Sequence, residues 1–275
     1  MEFNRTELMP GVFLSHLCSD KFKTACMSVT LLTQLRRETA AMNAVIPFVL
    51  RRGTTRYSDM EQLSRRMDEL YGAAVEPVVR RIGEIQCIGF YGSFPEPDYL
   101  PGGEALLGDT CALMAQLLLD PVTRGGLLLP QYVDSEREKL LDIIRSRMND
   151  KRSYALTRCI EEMCCYEDFA VSRFGSESEA ENIHYKKLTR HYRELIQTCP
   201  VEIFYCGKTD FKAVSAAMRD AFSAMPRGEI DYDIGTDLRM NAVEDHVRFV
   251  EEEMDVTQGK LVLGFRLGEC MEEPD

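Results

Sequence analysis

Ten cysteines, four histidines and several acidic pairs are the residues from which this 275-residue chain would have to draw any chemistry. The densest group is the stretch CIEEMCC, Cys159 to Cys165. A thiolate nucleophile or a thiolate metal site draws on such residues. The spacing argues against metal: there is no C-x-x-C pair, and His184 and His191 follow at no ligand spacing. Neither histidine has a second one four residues on, and His16 and His246 stand alone on expected strands. Cys159, Cys164 and Cys165 remain candidates for a cysteine nucleophile, although no matching histidine spacing accompanies them. An acid/base pair in the run EREK fares worse. Glu136 and Glu138 are two residues apart and do not share a helix face. Cys87 and Cys206 lie in apolar strand patterns, and we read the thiols as reduced, small core hydrophobes.

The elements that would position these groups can be read along the chain. An extended start at Gly11–His16, a polar turn and the β-branched run ACMSVTLL give two strands. The segment 40–52 is apolar and long enough for a helix. Its interior Pro47 costs about 3 kcal/mol through a lost hydrogen bond and a clash, which predicts a kink or an early end near Asn43–Pro47. Next comes SDMEQLSRRMDELYG, with Ser58 and Glu61 as a capping box and Gly72 as a stop. Met60, Leu63, Met67 and Leu70 would form its apolar face. Two strands joined near Arg81–Gly83 follow, then a helix over 104–121. A helical stretch from about 131 to 165 breaks near Asn149–Asp150, and a further helix spans 188–199. The buried strand VEIFYCG and a helix over 211–226 complete the unit. Antiparallel strands with helices on one face imply an α+β layer fold.

We therefore expect an α+β unit at 1–226, a polar linker at 227–244 and a second stretch at 245–275. That last stretch repeats the strand, polar turn, strand layout of the N-terminus, which suggests the first hairpin of a second, truncated copy. A hairpin without its helical layer is marginal, so the chain reads as a fragment of a longer protein.

Composition narrows the classes. The hydrophobic share is 45% and the charged share 28%, a globular balance. A net charge of −12 repels phosphate backbones, which argues against nucleic-acid binding. The basic pairs Arg51-Arg52, Arg80-Arg81 and Lys186-Lys187 read as solvated loop or helix ends. No apolar run reaches the ~18 residues of a membrane helix, and the polar N-terminus has no apolar signal region. The expected location is cytoplasmic.

Four phrases carry a resemblance: RRGTTRYS before the capped helix, ELYGAAVE after it, DSEREKLLDIIRSRMNDKRSYA, and VEIFYCGKTDF. In order and spacing they resemble the pitrilysin/insulinase family of zinc peptidases, which includes mitochondrial processing peptidase. The likeness covers essentially the whole chain. It is greatest to a bacterial branch that lacks the zinc motif and is associated with elongation factor P modification. The resemblance implies a pitrilysin-like α+β unit, used in the family as paired half-shells around a peptide chamber.

In active members the inverted motif His-x-x-Glu-His precedes the GT phrase on a helix and supplies two zinc ligands and the base that polarises water. Anchored on Gly53-Thr54, these positions fall on Ala44, Pro47 and Phe48 of this chain. The distal ligand position falls near Arg145. Alanine, proline and phenylalanine offer no lone pair, and an arginine would repel the cation. The resemblance thus implies a chain with no metal and no cofactor, inactive as a zinc peptidase, whose site is filled by apolar packing with Phe48 in the metal's place. It further implies an active zinc-binding homologue as heterodimer partner, with peptide as the shared ligand. In active units the peptide adds as an edge strand. The matching residues are Ala74, Val75, Glu76, Pro77 and Val78, where an outward Pro77 would make a poor edge. The competing readings are an active peptidase with displaced ligands and an enzyme using cysteine chemistry.

Overall fold

The computed structural model describes residues 2–235 and 247–266. The chain begins with three strands: β1 (Glu2–Met9), β2 (Val12–Cys18) and β3 (Thr24–Gln34). Helices α1 (Arg37–Leu50) and α2 (Met60–Glu69) lead to the hairpin of β4 (Ala74–Ile82) and β5 (Ile85–Pro95). Helix α3 (Leu107–Leu119) precedes a two-residue-per-arm hairpin, β6 (Thr123–Arg124) and β7 (Leu127–Leu128). Then come α4 (Pro130–Ser146), α5 (Lys151–Met163), α6 (Glu177–Glu181) and α7 (Tyr185–Thr198). Strand β8 (Val201–Gly207) and helix α8 (Phe211–Ala221) close the unit.

Six strands form one sheet in the order β1-β2-β8-β3-β5-β4. Only β2 and β8 run parallel; the other neighbours are antiparallel. The late strand β8 thus inserts between β2 and β3, an arrangement local periodicity cannot reveal. Alternation decides which face the helices cover. In β3, Ala25, Met27, Val29 and Leu31 are at most 1% exposed, while the residues between them are half-buried. The buried set joins α1, α3, α4, α7 and α8 in one core. The expected α+β layer fold is the one observed.

Four local expectations need correction. Strand β1 was not anticipated: it is a polar edge strand, with Phe3 exposed and Leu8 buried, that pairs through its backbone. Helix α1 does not end at Pro47 but continues to Leu50, where Arg51 N–H still donates to the Pro47 carbonyl at 3.1 Å. Residues 40–47 are all buried, and that burial offsets the proline's cost of about 3 kcal/mol. The cap of α2 is Asp59, which accepts from Gln62 N–H at 2.9 Å, so the cap sits one residue later than Ser58 and the expected Ser58–Glu61 box does not form. Met60 is then exposed and only Leu63 is buried within α2. Finally, residues 247–266 form no strand, against the hairpin expected within 245–275. They lie along α5, where Glu252 accepts from Arg158 at 2.7 Å and from Tyr154 at 2.9 Å. Val247, Phe249, Leu261, Leu263 and Phe265 stay exposed. Two strands need a third, or a helix, against their apolar face. His246 and the rest of that stretch lie outside the described residues.

Candidate functional site

The GT phrase has a structural reason. A Cβ on Gly53 would lie 2.7 Å from the Ser58 carbonyl oxygen, so the turn admits only glycine there. Thr54 is fully buried. Its N–H donates to the Tyr57 carbonyl at 2.7 Å, and its Oγ1 accepts from Tyr57 N–H at 3.0 Å. This turn fixes the end of α1, and with it the face carrying residues 44, 48 and 52, four apart.

That face offers no ligand set. Ala44 is 0% exposed within the core, Pro47 is buried beside it, and Phe48 is half-buried. Arg145, on the last turn of α4, reaches Glu177 of α6 by a short ion pair and Glu181 at 3.7 Å. It is half-exposed and serves that helix contact. Among the described residues, no three His, Cys, Asp or Glu side chains converge as a metal set. A zinc ion does not fit the residues present here, because none of Ala44, Pro47 and Phe48 can donate a lone pair.

Next to Ala44 the helix carries a polar relay instead. Asn43, 0% exposed, donates from Nδ2 to Gln86 Oε1 at 2.8 Å and accepts from His191 Nε2 at 2.6 Å. Gln86, equally buried, donates to the carbonyls of Ala40 at 3.0 Å and Arg173 at 2.7 Å. This network ties α1 to β5 and α7, and burial lowers the His191 pKa.

The other sequence candidates are held in structural roles. Glu136 is buried between Arg52, at 3.1 Å, and Lys139, at 2.8 Å, whereas Glu138 is exposed and bonds Arg137 at 3.0 Å. Burial pushes the Cys164 thiol pKa up, which weakens it as a nucleophile. His16 donates to the Thr209 carbonyl at 2.9 Å and stacks on Tyr205. His184 caps α7. Lys186 and Lys187 are exposed as expected, but Arg51 and Arg81 are less solvated than their sequence suggests. Arg51 donates to the Val75 carbonyl at 2.8 Å, and Arg81 to those of Phe169 and Val171 at 2.6 and 3.2 Å. Nothing in the spacing marks these long-range contacts.

Ala74, Val75, Glu76, Pro77 and Val78 lie on β4, the outermost strand of the sheet beside β5. Gly83, at φ +57°, takes the first central position of the two-residue turn that joins the pair. The flanking Ile82–Ile85 pair is therefore hydrogen-bonded, and pairs alternate from there. Counting back, Val75–Gly92 and Pro77–Phe90 are non-bonded pairs whose backbone groups face away from β5. Pro77 faces the open edge and has no N–H to give. The outward Val75 carbonyl is already taken by Arg51. Two of the edge's backbone positions are thereby altered, one by a missing donor and one by a side chain.

No family model matches the chain. It is 29% identical over 266 residues to the protein "Probable inactive metalloprotease YmfF" of Bacillus subtilis (strain 168), covering 96% of this chain and 61% of that one. Among solved structures, a conserved protein from Enterococcus faecalis V583 superposes with a TM-score of 0.77 at 21% identity, over 84% of this chain and 54% of that one. The peptidase M16 inactive domain from Pseudomonas fluorescens gives 0.65 at 9%, over 86% and 53%. Pitrilysin gives 0.62 at 11%, over 84% and 23%. The chain has the fold of a pitrilysin half-unit. It spans about three-fifths of its curated relative and, in the first two structures, about half of each chain. The chain carries Ala44, Pro47 and Phe48 on the helix before its GT turn. No helix among the described residues is long and apolar enough to cross a membrane.

Proposed function

We propose that the chain is a non-catalytic metallopeptidase homologue, a half-shell that pairs with an active zinc-binding homologue and helps to enclose peptides. The observation that carries this is α1. It is a fully formed, buried helix, and the resemblance sets Ala44, Pro47 and Phe48 against the motif's donor positions. The fold is kept and the chemistry is missing, as suits a partner subunit. The similarity to a protein named a probable inactive metalloprotease supports the same reading.

The β4 edge is a poor peptide strand in this account, because Pro77 and the Arg51–Val75 contact close it. Catalysis and strand-type peptide capture then belong to the partner, and this half supplies chamber wall. Residues from about 245 onward begin a second homologous unit. The exposed alternation of Leu261, Leu263 and Phe265 supports that reading, since a strand waiting for its sheet has that pattern. The site of action is cytoplasmic, consistent with the reduced thiols of the described residues.

Co-expression with a homologue that carries an intact His-x-x-Glu-His motif tests the pairing. A stable one-to-one complex that cleaves peptides, with loss of activity when only the partner's glutamate is changed, is the expected result. Two chains that elute separately at micromolar concentration contradict it.

A further inference from the structure

The sheet face opposite the helices carries a second feature. Cys26 on β3 and Cys206 on β8 are direct cross-strand partners in the middle of the sheet. Leu32 N–H donates to the Pro200 carbonyl at 2.9 Å. Counting by twos along this ladder makes Cys26–Cys206 a hydrogen-bonded pair as well. Such pairs hold their Cα atoms about 5.5 Å apart, well inside the roughly 4.4–6.8 Å that a disulfide spans. Their side chains share one face, because opposite residues of a ladder do.

That face is the one without helices. Ala25 and Met27, on either side of Cys26, point into the core at 0% exposure, while Cys26 itself is half-buried. Cys206 is 9% exposed beside Phe204, which is 36% exposed on the same face. Tyr91 of β5, the cross-strand partner of Ser28, is 39% exposed on the same face. Cys111 and Cys199 are placed differently: burial drives them up to about 12 and about 11, which leaves them inert.

We propose that Cys26 and Cys206 form a reversible thiol–disulfide site that reacts with oxidised low-molecular-weight thiols. The more accessible Cys26 attacks first. Its thiolate, having lost its proton to solvent, displaces one half of the small disulfide, which leaves as a thiol on protonation. Cys206 then loses its proton and attacks the Cys26 sulfur of the mixed disulfide, expelling the second small thiol. The two cysteines are oxidised by two electrons, and the small disulfide is reduced to two thiols. Excess reduced thiol runs the sequence backwards. The new bond ties β3 to β8 across the exposed face without moving the backbone.

The test treats the full chain with glutathione disulfide under native conditions, then reads intact mass and peptide maps. The expected product has lost two hydrogens, links the Cys26 and Cys206 peptides, and reverts with dithiothreitol. Cys206→Ser is expected to stop at one glutathionyl group on Cys26. Cys26→Ser is expected to react at least about tenfold more slowly and to give no such link. The proposal is overturned if the link joins other cysteines, such as Cys164 and Cys165, or if both sites take separate adducts. It is also overturned if the native chain stays unmodified while the urea-unfolded chain reacts.

Discussion

Helix α1 and strand β4 contrast in what they can offer a metal or a peptide. At α1 the backbone is regular and the side chains carry no donors. The helix runs to Leu50 and packs in the core, but Ala44, Pro47 and Phe48 have no donors. At β4 the side chains are ordinary for a strand and the outer backbone is closed, by the missing N–H of Pro77 and by Arg51 on the Val75 carbonyl. One region lacks metal donors through residue type, the other lacks free edge groups through hydrogen bonding. Apolar residues suit a buried helix, and burial offsets the cost of the interior Pro47. The closed edge at β4 does not recruit foreign strands.

Mutations can break or sharpen that contrast. The largest effect is expected where α1 is only structural. Ile46→Ala, at a position 1% exposed, should cost about 2–5 kcal/mol in denaturant unfolding. A loss below about 1 kcal/mol would mean the helix is less tightly packed than described. Asn43→Ala should follow, at about 1–3 kcal/mol, because Gln86 and His191 each lose a buried partner.

The same relay has a pH signature. Burial holds the His191 pKa below its ordinary value of about 6.5. The unfolded chain therefore binds the proton more readily, so stability is full above that range and falls as pH drops through it. His191→Gln should flatten the stability–pH curve between roughly pH 7 and 5. An unchanged curve would place the dependence elsewhere.

At β4 the expected changes are small in stability and visible in binding. Pro77→Thr restores an outward N–H and should move stability by no more than about 0.5 kcal/mol. Anisotropy titration with an extended, labelled peptide should then show tighter binding than wild type. Equal binding would show that Pro77 does not control the edge. Smallest of all is Arg145→Ala. Its pairs with Glu177 and Glu181 lie on the surface, at 51% exposure for the arginine, so the change should stay within about 1 kcal/mol.

Much of the element order was legible because periodicity and breakers are local. VEIFYCG is β8 to the residue, and the break near Asn149–Asp150 separates α4 from α5. Strand order was not legible. The parallel β2–β8 pair joins residues nearly two hundred apart, and no local pattern encodes it. Strand β1 escaped notice because an edge strand needs no apolar face. The absence of donors at positions 44, 47 and 48 could be read from residue types alone. The role of Arg51 could not, since the Val75 carbonyl it bonds lies on another element. The Cys26–Cys206 pairing was hidden for the same reason, because it exists only once β8 has entered between β2 and β3.

The most direct test of the central claim is the metal content of the purified chain, refolded or expressed with added zinc and then dialysed. Elemental analysis should find far less than one zinc per chain, unchanged by Ala44→Gly or Phe48→Leu. One tightly held zinc per chain would contradict the account.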